Sequence, residues 1–377
     1  MKIAFVLIAE AYQCYHGAAI AFELAAMPDV EVAFYYNDPE TPLHLERIRK
    51  AWGAPPLPVI RMKRTWAARA IQAMKVFGLA KPQVLAANEA ELAGFDAIFA
   101  LEDSAGSLFA GKERGKRPAR IHMSHGSGDR AVGFSPRIAA FDLVLLTGRK
   151  TADRLLSLGY IQPGGYALPG YAKIEVADRL RASEAPLFAS DRPVVLYNPH
   201  KARGLSSWRR FIGPMLKGFA AQDRFDLIVA PHVKMFRRRS ERLRNTWRRR
   251  STPHILIDPG SERSLDNSYT AAADIYVGDV SSQVYEFLAR PRPCVFLNAH
   301  GIDWREDPDF RFWRLGDVVE DPADLMEAID AAPARHGLYR AAQEEAAAAS
   351  LGDLTPGGSR RAAEAIVTFL RDGSVEP

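Results

Sequence analysis

Three histidines lie where they could take part in acid–base or phosphoryl chemistry. His125, His200 and His232 each follow a short apolar run with the composition of a buried β-strand. A histidine titrates near neutral pH, so His125 could take the proton of an attacking hydroxyl, and Gly126 beside it lets the backbone approach a ligand closely. A lone histidine is usually structural, but the predicted position of His232 on the same edge as the other two favours a functional role. A turn that holds a histidine for structural reasons is the alternative at each position.

The loop after the predicted strand Val194–Asn198 has side chains that suit an anionic ligand. His200, Lys201 and Arg203 lie within four residues, and all three can carry positive charge. Cationic side chains in a loop bind phosphate or carboxylate groups, so we expect contact with the phosphates of a ligand. Charges that are simply solvated on the surface are the alternative.

A third segment has the features of a phosphate-binding turn. The predicted strand Ile275–Gly278 is followed by Asp279, Ser281 and Ser282, and then by an amphipathic helical pattern. A serine there would cap the helix, and the free N–H groups of its first turn would hold a phosphate. Glu286, one turn later, could meet ribose hydroxyls. A plain helix cap and a glutamate that faces solvent are the structural alternatives.

These residues require a scaffold that places several strand ends side by side. Short β-branched runs alternate with longer amphipathic stretches along the chain, which predicts an α/β fold with two doubly wound parallel-sheet domains facing a central cleft. Ligands of such folds bind beyond the carboxyl ends of the strands. The predicted domains are residues 1–175 and 190–355, followed by a C-terminal helix and tail at 356–377. The predicted strands are Lys2–Ile8, Val30–Tyr36, Ala97–Leu101, Arg120–Ser124, Leu143–Thr147, Val194–Asn198, Leu227–Pro231, His254–Asp258, Ile275–Gly278 and Cys294–Leu297.

Composition excludes several classes of protein. The chain has 377 residues, of which 47% are apolar and 25% charged, and this balance excludes a disordered or collagen-like chain. Its two cysteines, Cys14 and Cys294, are too few and too distant in sequence for a zinc site or a disulfide framework. We recognise no signal peptide and no apolar run long enough to span a membrane, so we expect a cytoplasmic protein.

Positive charge is concentrated in one segment. Lys234–Arg250 has nine Lys or Arg residues and a single acid, Glu241, so its net charge is +8. The net charge of the whole chain is only +5, so the remainder is net negative. We predict that this segment docks on an anionic membrane surface, with Phe236 and Trp247 as anchors. The apolar stripe of a predicted helix at Trp208–Phe219 either adds to this contact or belongs to the core. The predicted patch consists of Arg237, Arg238, Arg239, Trp247, Arg248, Arg249 and Arg250.

The order of these motifs resembles the CDP-glycerol glycerophosphotransferases of teichoic-acid and capsule synthesis. Ser124-His125-Gly126 is similar to that family's Trp-His-Gly segment, and Pro231-His232 is similar to the segment with its second important histidine. The most specific similarity is Gly278-Asp-Val-Ser-Ser282 with the Glu-Phe and Arg-Pro pairs that follow it. This string resembles the family's Ser-Asp-Tyr-Ser-Ser, Asp-Phe and Arg-Pro block.

Two weaker similarities and two departures complete the comparison, which spans about Arg120 to Leu297. Gly170–Lys173 is similar to a Gly-Tyr-Pro-Arg junction, and Leu196–Pro199 is similar to the start of a Tyr-Ala-Pro-Thr-Trp-Arg loop. That loop's Thr-Trp-Arg portion is replaced here by His200, Lys201 and an offset arginine, and the family's Thr-Pro-Leu-Lys after the first histidine is Ser-Gly-Asp-Arg. The nucleotide diphosphate site therefore carries over better than the identity of the transferred group.

The resemblance implies a GT-B fold and a phosphoryl-transfer reaction. A hydroxyl of a lipid-linked or glycan acceptor would attack the distal phosphorus of CDP-glycerol or a similar nucleotide donor, and CMP would leave. His125 would act as base, and His232 with Lys201 or Arg203 would offset charge on the phosphoryl group. No cofactor is firmly implied, although Mg²⁺ could accompany the diphosphate. The enzyme would act as a peripheral protein on the inner face of the cytoplasmic membrane.

Other functions stay open. A GT-B glycosyltransferase with a UDP- or CMP-sugar donor would use the same phosphate site and the same base. A sugar-nucleotide epimerase is a weaker alternative, since that fold also opens with a strand and a turn such as Cys14–Gly17. A non-catalytic membrane- or nucleic-acid-binding protein is the alternative outside enzymes. We expect no nucleic-acid binding, because a single basic run without interleaved aromatic residues is weak evidence for it.

Overall fold

The computed structural model describes residues 1–66, 68, 77–124, 134–182, 185–237, 239–281 and 283–376. Its strands are β1 (Lys2–Leu7), β2 (Glu31–Tyr36), β3 (Val59–Arg61), β4 (Ala97–Ala100), β5 (Ala119–Met123), β6 (Leu143–Leu145), β7 (Tyr166–Ala167), β8 (Val194–Asn198), β9 (Asp226–Val229), β10 (Ile255–Ile257), β11 (Ile275–Gly278), β12 (Cys294–Leu297) and β13 (Asp317–Val319). Its α-helices are α1 (Cys14–Ala25), α2 (Thr41–Trp52), α3 (Phe77–Leu92), α4 (Arg149–Ser157), α5 (Ala172–Arg181), α6 (Trp208–Ala220), α7 (Glu241–Arg248), α8 (Ser268–Ala272), α9 (Gln283–Phe287), α10 (Leu325–Leu351) and α11 (Gly358–Asp372). Short 3₁₀ helices are formed by Ala11–Gln13, Asp103–Ser107, Pro136–Ala140, Glu262–Ser264, Pro308–Leu315 and Pro322–Asp324.

The chain divides into two compact units, each built around one parallel sheet. The described residues of the first unit fall within 1–124, 134–179 and 349–376, and those of the second fall within 180–348. In the first unit the described strands have the order β3-β2-β1-β4-β5-β6-β7, and every pair is parallel. The C-terminal helix α11 belongs to this unit and packs against α1.

The second unit has the strand order β10-β9-β8-β11-β12-β13, again with all described pairs parallel. The order runs outward from β8 in one direction and outward from β11 in the other, so the chain switches direction between these two neighbours. In doubly wound folds the loops at such a switch point diverge and leave a crevice for a ligand. This sheet therefore has its expected ligand-binding edge beyond the ends of β8 and β11.

The sequence explains why the sheets are parallel and buried. The strands of the second unit are short runs of Val, Ile, Leu, Phe and Tyr, and β9, β11 and β12 are buried at every residue. Strands covered by helices on both faces read as continuous apolar runs, without the alternation of a half-exposed sheet. The predicted α/β class with two doubly wound parallel sheets is confirmed.

The apolar stripe of helix α6 was predicted either to contact a membrane or to belong to the core. Phe211, Met215 and Phe219 are fully or almost fully buried, and they pack in the core with the strands of the second sheet. Three large side chains at this spacing on one helix face bury a continuous stripe against the sheet. They belong to the core and are not available to a membrane surface.

Candidate functional site

The switch point of the second unit brings two predicted site segments together. The last residues of β8 and β11, Asn198 and Gly278, are partners in the parallel register. His200 lies two residues beyond the first and Asp279 directly follows the second. The backbone N–H of His200 donates to Asp279 Oδ1 at 2.8 Å. The two loops that the sequence analysis assigned to one ligand are thus in direct contact.

Asp279 is the centre of this contact. Its Oδ1 also accepts a hydrogen bond from the N–H of Val280, while its Oδ2 accepts from both the N–H and the hydroxyl of Ser207, at 2.7 and 2.8 Å. The indole of Trp313 donates to its backbone carbonyl at 2.7 Å. Burial raises the pKa of Asp279 to about 6, against the effect of these donors, which lower it.

The contacts of Asp279 identify it as a positioning residue. It is 1% exposed, and both carboxylate oxygens are already engaged by groups of the chain itself. A carboxylate in this state would also repel a phosphate. Asp279 was predicted as a phosphate-binding residue, but in the structure its carboxylate accepts hydrogen bonds from the loop of His200 and from Ser207, which directly precedes α6.

His200 and His232 lie side by side at the ends of β8 and β9. Their rings are 5.6 Å apart between centroids and nearly perpendicular. The backbone N–H of Ala202 donates to Nδ1 of His200 at 3.2 Å, and the backbone N–H of Lys234 donates to Nδ1 of His232 at 3.1 Å. A backbone amide can only donate, so both Nδ1 atoms are acceptors, and in the neutral rings the proton is on Nε2.

His232 is held neutral by its surroundings. Burial, followed by the nearby positive charges of His200, Lys201 and Lys234, lowers the pKa of His232 to about 3. At physiological pH this histidine therefore offers a hydrogen-bond donor and no full positive charge. It can donate a hydrogen bond from Nε2 to an anionic oxygen of a phosphoryl group, as predicted. Because the ring is neutral, other groups have to supply the positive charge that balances the phosphoryl group.

Cations line the loops after three neighbouring strands. Lys201 and Arg203 are exposed on the loop after β8, and Lys234 is half-buried after β9. Arg263 is half-buried in the segment after β10 and lines a pocket described below. Because the three strands are neighbours in the sheet, these side chains share one edge with the two histidines. The edge therefore suits an anionic ligand.

The predicted phosphate-binding turn is only partly as expected. Ser281 is buried, and its hydroxyl accepts from the N–H of Gln283 at 3.3 Å, as a helix-capping serine does. Helix α9 begins at Gln283 and has only five residues, so its dipole is weak. Glu286 is 9% exposed, and the solvent-facing alternative for it is wrong.

A pocket opens at the same edge of the sheet. It is small, with room for about one water molecule, and it is partly open to solvent. The sequence analysis missed the half of its wall that follows β10, because short helical turns there leave no periodic signal. Its lining residues are Leu196, Asn198, Ala230, Pro231, Arg263, Ser264, Asn267, Tyr269, Thr270 and Gln283.

Asp258 organises the segment that forms this wall. It directly follows β10, and its carboxylate accepts hydrogen bonds from the N–H groups of Gly260 and Ser261, and from the hydroxyls of Ser264 and Tyr269 at 3.0 and 2.7 Å. Burial and this carboxylate together raise the pKa of Tyr269, so its hydroxyl stays protonated and donating. The Asp-Pro-Gly-Ser sequence after a strand was the available signal, since aspartate accepts from N–H groups two and three residues ahead in such turns.

Several predicted residues lie outside the described part of the chain: His125, Gly126, Ser282 and Arg238. The predicted base and its glycine therefore have no structural account here. Among the described residues, no group of three or more His, Cys, Asp or Glu side chains is arranged to hold a metal ion. No described helix is long and apolar enough to cross a membrane.

The basic segment forms a charged surface without the predicted anchors. Phe236 is 5% exposed, and with Trp247 and Trp208 it forms an aromatic cluster against the core, in which the two tryptophan rings are 4.8 Å apart. Phe236 is buried, so the prediction that it serves as a membrane anchor is wrong, while Trp247 is half-buried and packs against Phe236 and Trp208. The segment retains its charge, and its helix α7 has no buried residue.

The arginines of this segment differ in their surroundings. Arg248 forms an ion pair with Glu241, and Arg250 lies over the ring of Trp247, 4.8 Å from its centroid. Arg237, Arg239 and Arg249 are exposed. The charge available to a partner is therefore carried mainly by the exposed members.

Comparisons with known proteins agree on the fold. No protein-family model and no curated protein matches the sequence. Among solved structures, the wall teichoic acid polymerase TagF soaked with CDPG matches with a TM-score of 0.66 and 11% identity, covering 99% of this chain and 89% of that one. A UDP-GlcNAc 2-epimerase from Neisseria meningitidis bound to UDP-GlcNAc matches with a TM-score of 0.64 and 13% identity, covering 99% and 100%.

A UDP-N-acetylglucosamine 2-epimerase from Listeria monocytogenes is similar to the same degree, with a TM-score of 0.63 and 12% identity over 99% of this chain and 96% of that one. At these identities the likeness concerns the fold alone. The fold is of GT-B type, as the resemblance implied. The same architecture carries transfer and epimerisation in these proteins, so the reaction has to be argued from the site.

Proposed function

We propose that this protein is a transferase that binds a nucleotide-diphosphate-activated donor at the carboxyl edge of its second sheet. It would pass phosphoglycerol or a related phospho-polyol from a CDP-activated donor to a hydroxyl of a lipid-linked or glycan acceptor. The observation that carries the proposal is the adjacent pair His200 and His232, whose Nδ1 atoms accept from backbone N–H groups and whose Nε2–H groups are donors, beside the cations of three neighbouring loops.

This arrangement suits phosphoryl transfer. Such reactions are accelerated mainly by positioning and by stabilisation of charge on the transferred group, and they need no covalent nucleophile. His232 would donate to a phosphoryl oxygen, while Lys201 and Arg203 would compensate the diphosphate charge. Donors that are already oriented need no reorganisation as charge develops. Asp279 would serve this step indirectly, by fixing the loop of His200.

The proposed reaction breaks the phosphoanhydride bond of the donor and forms a phosphate ester bond to the acceptor. The acceptor oxygen bonds to the distal phosphorus, the bond from that phosphorus to the bridging oxygen breaks, and CMP leaves with that oxygen. The hydroxyl proton passes to a base, for which His125 remains the prediction. Mg²⁺ could accompany the diphosphate from solution, held by phosphate oxygens.

A nucleotide-sugar glycosyltransferase is the second candidate. The observation in its favour is that the fold is shared with enzymes solved with UDP-GlcNAc as well as with one soaked with CDPG. The same histidines and cations would hold the diphosphate of a UDP-sugar. Bond cleavage would then occur at the sugar carbon, and UDP would leave in place of CMP.

Product analysis separates the two candidates. The full chain is incubated with an acceptor glycan or lipid and with CDP-glycerol, CDP-ribitol, UDP-GlcNAc or a CMP-sugar, and the released nucleotide is identified by chromatography. The proposal predicts CMP from a CDP-alcohol together with a phosphodiester in the product, seen by ³¹P NMR. Release of UDP with a glycosidic product would replace it with the second candidate. His232→Ala should abolish turnover, whereas the remote control His336→Ala should not.

The basic segment extends the proposal to an anionic membrane surface at the inner face of the cytoplasmic membrane. Lipid-linked acceptors lie there, and each exposed cation can contribute about 1 kcal/mol near an anionic leaflet. The inward packing of Phe236 and Trp247 makes this contact electrostatic. Such a contact weakens as salt is raised, since the Debye length is about 8 Å at physiological ionic strength.

A further inference from the structure

The backbone pairing of β8 with β9 continues beyond the ends of both strands. The last pair of the strand register is Tyr197 with Val229. Beyond it, the N–H of Ala230 donates to the carbonyl of Tyr197 at 3.0 Å, and the N–H of His232 donates to the carbonyl of Pro199 at 2.9 Å. Both bonds follow the pattern of a parallel ladder. The ladder therefore reaches one histidine of the pair, and Pro199 directly precedes the other.

One bond of this continued ladder cannot form through the backbone. In a parallel ladder, a residue whose carbonyl accepts from one partner residue donates its own N–H to the carbonyl two positions earlier on the partner strand. Residue 199 would therefore donate to the carbonyl of Ala230, but it is a proline and has no N–H. The side-chain Nδ2 of Asn198 donates to that carbonyl at 2.7 Å. The amide of Asn198 thus takes the place of the missing backbone donor.

The other polar atom of this amide is held by the neighbouring strand β11. Oδ1 of Asn198 accepts from the hydroxyl of Tyr276 at 3.3 Å, and that hydroxyl also bonds with the hydroxyl of Ser281. Asn198 and Tyr276 are both buried, and burial raises the pKa of Tyr276 well above its usual value, so its hydroxyl stays protonated. A hydroxyl that donates to Oδ1 fixes the orientation of the amide and directs Nδ2 toward Ala230.

We infer that Asn198 is a positioning residue for the histidine pair, in which its amide completes the ladder that the proline interrupts. It lies two residues before His200 on one strand, and it holds the carbonyl two residues before His232 on the other. Without this bond a buried carbonyl loses its donor, and the loop after β9 is free to separate from the loop after β8. The inference rests on the proposed function only in taking a phosphate group as the ligand of the two histidines.

A second substitution can restore what the first removes. Asn198→Ala deletes the side-chain donor, whereas Pro199→Ala supplies a backbone N–H at the position where the ladder requires one. In the double variant Asn198→Ala/Pro199→Ala this N–H can donate to the carbonyl of Ala230, so the pairing should be restored. The matched control is Asn88→Ala on α3 in the first unit. Asn88 is also buried, and its amide holds the backbone of Lys63 through bonds of 2.9 and 3.0 Å.

Calorimetric titration of the full chain with pyrophosphate at pH 7.5 measures the effect on the phosphate site. We expect Asn198→Ala to weaken binding about ten-fold, as the loss of about one oriented hydrogen-bond donor would. The double variant should bind within about three-fold of wild type, and Pro199→Ala and Asn88→Ala should bind as wild type does. A merely structural role of Asn198 predicts the opposite order, since the double variant carries one more substitution at the same strand end.

NMR of the histidine rings tests the same positions without a ligand. The chain is labelled with ¹⁵N-histidine, and His232→Gln assigns the signal of that ring. In wild type this ring should stay neutral, with its proton on Nε2, from pH 8 down to pH 4.5, because its pKa is about 3. In Asn198→Ala solvent reaches the ring, so it should take up a proton within this range, whereas in the double variant it should again stay neutral.

The two measurements separate this inference from the proposed function. A double variant that differs from wild type as much as Asn198→Ala does, in both measurements, overturns the inference and leaves the proposed function standing. Wild-type protein that binds no pyrophosphate contradicts the proposed function, and the NMR titration then decides the inference. If Asn198→Ala does not fold, hydrogen exchange of the wild-type side chain decides it: the Nδ2 protons of Asn198 should exchange at least about a hundred-fold more slowly than the amide protons of the exposed Gln162, and equal rates overturn the inference.

Discussion

Replacing Asp279 by asparagine should destabilise the second unit and loosen the His200 loop. The carboxylate accepts from the backbone N–H groups of His200, Val280 and Ser207, and from the Ser207 hydroxyl. An asparagine keeps one acceptor oxygen, which would remain opposite His200 and Val280. Its NH₂ group would then face Ser207, whose hydroxyl can rotate to accept but whose N–H would be left unpaired.

The magnitude follows from these four contacts. One buried N–H left without a partner costs about 1–3 kcal/mol. The remaining hydrogen bonds lose their assistance from charge, but the desolvation penalty that raises the pKa of the carboxylate is lost as well and offsets this. We therefore expect Asp279→Asn to lower the free energy of unfolding by about 1–3 kcal/mol. The exposed Asp303→Asn is the control and should change it by less than about 0.5 kcal/mol.

Urea unfolding at pH 7.5, followed by tryptophan fluorescence, measures this change, since Trp313 itself donates to Asp279. Calorimetry on the folded variant at low temperature measures nucleotide binding separately. We expect weaker binding, because the His200 loop is no longer fixed. A loss of stability below about 1 kcal/mol, with unchanged binding, would refute the assignment of Asp279 as the residue that positions this loop.

Three further predictions concern acid–base behaviour, catalysis and membrane contact. The folded-state pKa of His232 lies near 3, below its ordinary value of 6.5, so unfolding takes up a proton between these values and stability falls as the pH falls from 6.5 toward 3. His232→Gln should reduce that slope by up to about 1.4 kcal/mol per pH unit, measured by urea unfolding at pH 4.5, 5.5 and 7; an unchanged slope would mean that the ring is not held neutral. His125→Ala should lower turnover by about 10²–10⁴-fold at saturating donor while leaving nucleotide affinity nearly intact, and wild-type turnover would rule it out as the base. The wild-type protein should sediment with anionic vesicles but not with neutral ones. Changing three exposed cations of the basic segment to serine should abolish this binding, whereas the same change at three exposed arginines elsewhere should have little effect. Equal binding by both variants would show that the segment does not dock on lipid. The substituted residues are Arg239, Arg242 and Arg249, and the controls are Arg305, Arg311 and Arg371.

The sequence was sufficient for the strands of the second sheet that are long and fully buried. The predicted strands at Val194–Asn198, Ile275–Gly278 and Cys294–Leu297 coincide with β8, β11 and β12, since apolar runs bounded by turn residues have few other solutions. The edge strands β3, β7 and β13 were not predicted. They have three residues or fewer, and their short pairing with a neighbouring strand leaves no periodic signal.

Side-chain direction was the main obstacle to predicting the site. His200, His232 and the cations after β8 could be assigned to one edge, because parallel strands end together. The sequence could not reveal that Asp279 turns toward Ser207, or that Phe236 packs on Trp208, since both depend on tertiary contacts. The amide of Asn267, which is unpaired in the described part of the chain, could not be predicted either, because an asparagine in a segment of short helical turns usually indicates only a turn.

Calorimetric titration of the full-length protein with CDP-glycerol tests the central claim most directly. The account predicts saturable binding with a dissociation constant between about 1 μM and 1 mM, tighter than for glycerol 3-phosphate, and at least ten-fold weaker in a variant with both His200→Ala and His232→Ala. No detectable binding of CDP-glycerol, with a UDP-sugar bound instead, would contradict phosphoglycerol transfer. Unchanged binding in the double variant would contradict the placement of the diphosphate beside the two histidines.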